Sequence, residues 1–146
     1  SSEKNFPVSQ TTITIALTGI REKKDRSVPK DSVYLLIGEP LVGQEVLEHS
    51  DRQITPKEFM QLLSTEGVSE IIPIGSHGVL SELAAMGIAA EYCELDLNKS
   101  AGPATCVIAA VNLNSLDSVL KQFNGKCRVV SNGNKVEEHR NGVFHA

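Results

Sequence analysis

Tryptophan is missing from this chain, and phenylalanine and tyrosine supply only 4% of its 146 residues. A core must therefore be built from Ile, Leu, Val and Ala. Hydrophobic residues at 40% beside charged residues at 22% suffice for that and exclude a disordered tail. Cysteine is scarce: Cys93, Cys106 and Cys127 form an odd set without a C-x-x-C pair. That excludes a disulfide framework and a zinc site. Cys93 and Cys106 lie in apolar runs that read as strands, so buried reduced thiols and a cytoplasmic compartment are the expectation. Positive charge is also scarce, with 14 Lys and Arg against 18 Asp and Glu and a net charge of −4. Such a balance gives no electrostatic basis for a nucleic-acid partner. No apolar run approaches the ~20 residues of a membrane span, and Ser1-Ser2-Glu3-Lys4 is no secretory signal. The expectation is a soluble single domain of ordinary size with no membrane partner.

Patterning along the chain predicts interleaved strands and helices. The first ten residues are polar and contain Pro7, a loose leader. Thr11 to Ile20 alternates in the manner of a strand, and a charged link from Arg21 to Pro29 follows. Strands are predicted at Ser32–Ile37, Ile71–Ile74, Ile88–Leu97, Ala104–Leu113 and Cys127–Ser131. Gln44–Glu48 allows one helical turn. Thr55-Pro56-Lys57-Glu58 reads as a helix start, with Thr55 as N-cap, Pro56 at the first helical position and Glu58 at the third. That helix presents Phe59, Leu62 and Leu63 on one face and stops at Gly67. Further helices are expected at Val79–Met86, closed by Gly87, and at Leu116–Phe123, stopped by Gly125. The order ββαβαββαβ points to an α+β layered fold with a mixed, mostly antiparallel sheet and packed helices. There is no internal repeat.

Three glycine turns are the candidates for chemistry. Gly38-Glu39-Pro40-Leu41-Val42-Gly43 leaves a strand and enters a helical turn, where glycines let a ligand approach bare N–H groups. It lacks the Lys-Ser/Thr of a phosphate loop, since Gln44-Glu45 follows Gly43, so a sharp strand exit accounts for it equally well. Gly75-Ser76-His77-Gly78 joins a strand to a helix, a junction suited to an anion, and His77 can donate or exchange a proton. The plainer alternative is that Ser76 caps the helix and His77 is exposed. Lys99-Ser100-Ala101-Gly102-Pro103 makes a tight turn into the most apolar strand, with Lys99 supplying charge, or serves only to connect. His49, His77, His139 and His145 share no metal-ligand spacing, so no metal site is expected, and no nucleophile–base triad emerges. Glu91, Glu94 and Asp96 on a predicted strand leave paired catalytic carboxylates open, although a wet face explains them more cheaply.

The order of these segments resembles a known family. Asp31–Leu47 (DSVYLLIGEPLVGQEVL) resembles the opening of the C-terminal domain in relatives of aminoimidazole ribonucleotide (AIR) synthetase. That superfamily includes selenophosphate synthetase, thiamine-monophosphate kinase and a hydrogenase maturation factor. Ile71–Leu83 (IIPIGSHGVLSEL) looks like its glycine turn and helix, and Leu95–Val107 (LDLNKSAGPATCV) like its later turn and strand. Thr11–Ile20 resembles the last strand of the preceding domain. The likeness implies a leader and that last strand in residues 1–30, a C-terminal-type domain in 31–135 and a polar tail in 136–146. It is similar in particular to the AIR synthase-related group, some members of which are identified as α-ribazole kinases.

What the resemblance implies is an ATP-dependent enzyme that works with Mg and transfers a phosphoryl group, or activates an oxygen on a small phosphorylated or ribosyl substrate. The N-terminal domain would carry the acidic, metal-binding nucleotide site and the dimer-forming barrel. This half would close the cleft, with Gly38, Gly43, Gly75, Ser76, His77, Gly78, Lys99, Ser100 and Gly102 lining it. No Asp-rich segment precedes Thr11, so the expected partner is a missing N-terminal nucleotide-binding domain, and the chain is expected to be a fragment or a short subunit. The second turn departs from the family pattern, because no Asp precedes its glycines. Catalytic residues are not assigned. The competing expectation, from another class, is a non-catalytic small-molecule-binding or dimerisation module.

Overall fold

The computed structural model describes residues 31–91, 93–102 and 104–133, together with Thr18 and Val28. The predicted strand at Thr11–Ile20 and the polar tail lie outside the described residues, Thr18 apart. Four strands form one sheet: β1 (Ser32–Gly38), β2 (Val68–Pro73), β3 (Cys106–Asn112) and β4 (Cys127–Ser131). Four helices connect them: α1 (Glu45–Glu48), α2 (Pro56–Ser64), α3 (Gly78–Ala85) and α4 (Leu116–Gln122). The strand order is β2-β3-β1-β4, and every pairing is antiparallel. The fold is α+β.

Two split β-α-β units interlock in this order. β1 and β2 run the same way on either side of β3 and are joined through α2. β3 and β4 run the same way on either side of β1 and are joined through α4. This is the ferredoxin-like arrangement, a topology that by itself carries no function. The connection from β2 to β3 is longer than a hairpin and contains α3.

β1 and β3 are buried on both faces, which explains runs such as SVYLLIG and CVIAAVN that lack a polar side. Alternate residues feed two cores. Tyr34, Leu36, Ile108, Ala110 and Val130 face α3, meeting Val79 and Leu83. Val33, Leu35, Ile37, Val107, Ala109 and Val111 face α2 and α4, meeting Leu62 and Val119. Each fully buried Leu, Ile or Val contributes roughly 1.5–3 kcal/mol. The sheet is thus the middle of three layers.

One predicted strand is not a strand. Among the described residues of Ile88–Leu97 only Ile88 makes a bridge, and the others are irregular. The alternation is real, because Cys93, Leu95 and Leu97 pack on the α3-side core while Glu94 and Asp96 are exposed. What is missing among the described residues is a ladder partner: the segment lies beside β4, with Glu91 N–H donating to Val130 O at 2.8 Å. From Asp96 onward it turns, as the Asp96 carboxylate accepts from Asn98 N–H at 2.9 Å. The alternation reported burial, not pairing.

Candidate functional site

All three glycine turns lie at one end of the sheet, where β1 and β2 leave it and β3 enters. The Lys99–Gly102 segment ties the other two together. Gly102 N–H donates to Leu41 O at 2.7 Å, and Ala101 N–H donates to Gly75 O at 3.0 Å. The Ser100 hydroxyl donates to Ser76 O at 2.6 Å. Lys99 Nζ meets both carboxylate oxygens of Glu45, at 2.8 and 2.7 Å. Segments more than twenty residues apart in sequence are thus fixed side by side (the Ser100–Ser76 separation is 24).

Within this assembly the predicted residues divide. Gly38 is a packing residue: its φ is +85°, and a Cβ there would sit 2.4 Å from Thr105 O and 3.0 Å from Ile54 N. Gly78 is similar, with φ at +77° and the carbonyl oxygens of Leu97 and Asn98 each 2.8 Å from a Cβ position. Leu80 N–H donates to Leu97 O, so backbone already covers this end of α3. A Cβ on Gly102 would lie 3.0 Å from Leu41 O, and Gly102 is half-buried. By contrast Gly43, Gly75, Ser76 and His77 are exposed. His77 occupies the N-cap position of α3 but makes no side-chain capping bond there, and neither does Ser76 supply one.

Beside the joined turns opens a charged cleft of about 250 Å³, lined by Glu39, Glu45, His49, Arg52, Asp96 and Lys99, with Glu94, Pro40, Leu41 and Leu95 completing it. Lys99 alone was expected in a site here. The signal for the others was weak, because their partners are remote in sequence. Arg128, from β4, donates through Nη2 to Glu39 and through Nε to Glu94, both at 3.0 Å, across 89 and 34 residues. Arg52 adds a longer contact to Glu39 at 3.6 Å. The Glu45 carboxyl is held below the usual carboxylate range, chiefly by its hydrogen bond from Lys99 and next by one from Val42 N–H.

A second depression of about 500 Å³ is apolar, walled by Ile54, Pro56, Phe59, Pro73 and Val107. Ala104 lines it too, with φ at +61°, a conformation that costs a residue with a Cβ about 1–2 kcal/mol. Burial pushes the Cys106 and Cys127 thiols up to about 11, which leaves little thiolate near neutral pH. Among the described residues no group of three or more His, Cys, Asp or Glu is placed to hold a metal ion. No helix among them is long and apolar enough to cross a membrane.

Comparison with protein-family models, with curated proteins and with solved structures found no match to this chain.

Proposed function

We propose that the chain is the substrate-side, C-terminal-type domain of a cytoplasmic ATP-dependent enzyme related to AIR synthetase. One observation carries the reading: three glycine turns, remote in sequence, are hydrogen-bonded together at one end of the sheet beside a charged cleft. Exposed Gly43, Gly75, Ser76 and His77 leave backbone accessible at that end, and Lys99 and Arg52 bring positive charge. The chemistry would be transfer of a phosphoryl group to a small phosphorylated or ribosyl substrate, as in an α-ribazole kinase, or its ATP-driven activation. Among the described residues no cluster of three or more His, Cys, Asp or Glu is placed to hold a metal ion. In this reading an N-terminal nucleotide-binding domain holds Mg-ATP, and this chain binds, orients and shields the substrate.

The second reading, a small-molecule-binding or dimerisation module without catalysis, is favoured by the internal pairing of Lys99 and Arg52 with carboxylates of the same cleft. Calorimetry separates the two. The chain alone should show no micromolar affinity for Mg-ATP, and the same chain joined to an upstream nucleotide domain of its reading frame should show it. Micromolar binding by the chain alone would overturn the division of labour. Failure of both forms to bind, or an upstream frame without an Asp-rich nucleotide half, would leave the module reading.

A further inference from the structure

The Glu45 carboxylate lies at the surface but is held by two donors at once. One oxygen accepts from Val42 N–H of the first glycine turn at 3.1 Å, and both lie within 2.8 Å of Lys99 Nζ. A backbone N–H in a glycine turn together with a lysine ammonium is the donor set that takes a phosphoryl oxyanion. Here that set is filled by a side chain of the same protein. The pair is half-exposed, with side-chain exposures of 33% for Lys99 and 40% for Glu45, so it is held weakly and can be exchanged.

The rest of the cleft supports an exchange. Arg128 already binds Glu39 and Glu94, and Arg52 leans on Glu39. With Glu45 turned out, Arg52 and Lys99 face Glu39, Glu94 and Asp96 in the cleft, and Arg128, outside its lining, offsets part of that negative charge through Glu39 and Glu94. Val42 and Gly43, on the other side of the carboxylate, are exposed, so Glu45 has solvent to turn into. The Lys99 segment itself is pinned through Gly102 and Ala101 and need not move.

We infer that Glu45 is an autoinhibitory carboxylate, occupying in the free protein an oxyanion site made by Val42 N–H and Lys99 that a phosphoryl group of the substrate must take from it. The inference rests on reading this cleft as the substrate side, but it concerns a contact within this chain and is tested without ATP or a second domain. Inorganic pyrophosphate is the probe, titrated at low salt into the wild-type chain and into Glu45→Gln, Lys99→Met and Glu48→Gln. Glu48 lies on the same short helix and is exposed, so Glu48→Gln removes an equal charge without touching the contact.

Removing the internal competitor should tighten pyrophosphate binding roughly five- to tenfold in Glu45→Gln. Glu48→Gln should change it less than twofold, and Lys99→Met should abolish it. In a spectrum resolving backbone amides, the Val42 signal should shift on Glu45→Gln and shift again on saturation with pyrophosphate. Equal gains in Glu45→Gln and Glu48→Gln would mean only a general charge effect and would overturn the inference. So would an unmoved Val42 amide, or the absence of binding in Glu45→Gln while its thermal unfolding matches wild type. None of these outcomes bears on whether an upstream domain holds Mg-ATP.

Discussion

Glycine is used for two different purposes in the turns, and substitution distinguishes them. At Gly38 the positive φ coincides with a Cβ position already crowded by Thr105 O and Ile54 N, both backbone atoms that cannot rotate away. Gly38→Ala should therefore cost more than the left-handed penalty of about 1–2 kcal/mol, reaching about 3 kcal/mol or beyond. At Gly43 the φ is +56° but nothing lies within 4 Å of a Cβ. Gly43→Ala should cost only about 1 kcal/mol. Urea unfolding of the two variants checks the ranking, and equal losses would show that crowding at the end of β1 is relieved elsewhere. The same comparison bears on function: Gly38 and Gly78 hold the turns in shape, whereas the exposed residues are the ones a ligand can reach.

At the scale of the element, α2 offers the most complete local account. Its Thr55 hydroxyl accepts from Glu58 N–H at 3.2 Å, and the Glu58 carboxylate accepts from Thr55 N–H at 2.7 Å. Lys126, from the turn before β4, adds two contacts to that carboxylate at 3.0 and 3.1 Å. Partial burial alone would raise the Glu58 carboxyl, but the bonds from Thr55 and Lys126 outweigh it and hold the group below its ordinary value. A lowered folded-state value means stability present above the unfolded carboxyl value of about 4.3 and lost as pH falls through the folded value. Thr55→Ala should cost about 1 kcal/mol at neutral pH. Glu58→Gln should lose less, about 0.5 kcal/mol, with its gap to wild type closing between about pH 5 and pH 3. Urea midpoints measured across that range check it; a constant gap would mean that the carboxylate charge contributes nothing. The capping box was legible in the sequence because all its parts lie within four residues. β1, β3 and β4 were legible because they are dense in β-branched and aliphatic residues. Ile88–Leu97 departs from a strand because alternation follows burial, and among the described residues a backbone hydrogen bond to β4 is made at Glu91 alone, with no ladder beyond it. The cleft was illegible for a related reason: Glu39, Glu94 and Arg128 signal nothing until the sheet brings β4 beside β1.

For the whole molecule, the interlocked strand order decides how the domain comes apart. β3 lies between β2 and β1, so baring it means separating strands on both sides, whereas among the described residues β4 is bonded along the sheet to β1 alone. Each of the two carries a thiol that reports on this. Cys106 in β3 is 1% exposed, Cys127 in β4 is half-buried, and burial pushes both up to about 11. At pH 8 a thiol with that value is ionised to roughly one part in a thousand, so direct reaction of the native state with a disulfide reagent is slow and faster labelling reports opening. Cys106 should label only through global unfolding, with a rate that rises with urea as steeply as the equilibrium m-value demands. Cys127 should label faster and with a shallower urea dependence, because β4 can leave the edge while β1, β2 and β3 stay paired. Single-cysteine variants retaining Cys106 or Cys127, labelled across sub-denaturing urea, make the comparison. Identical slopes for both would mean that β4 is not a separable edge and that the four strands unfold as one unit. A shallower slope at Cys127 would place the soft part of the domain at the strand that carries Arg128. The cleft would then be tied, through the bonds of Arg128 to Glu39 and Glu94, to the least stable strand of the sheet.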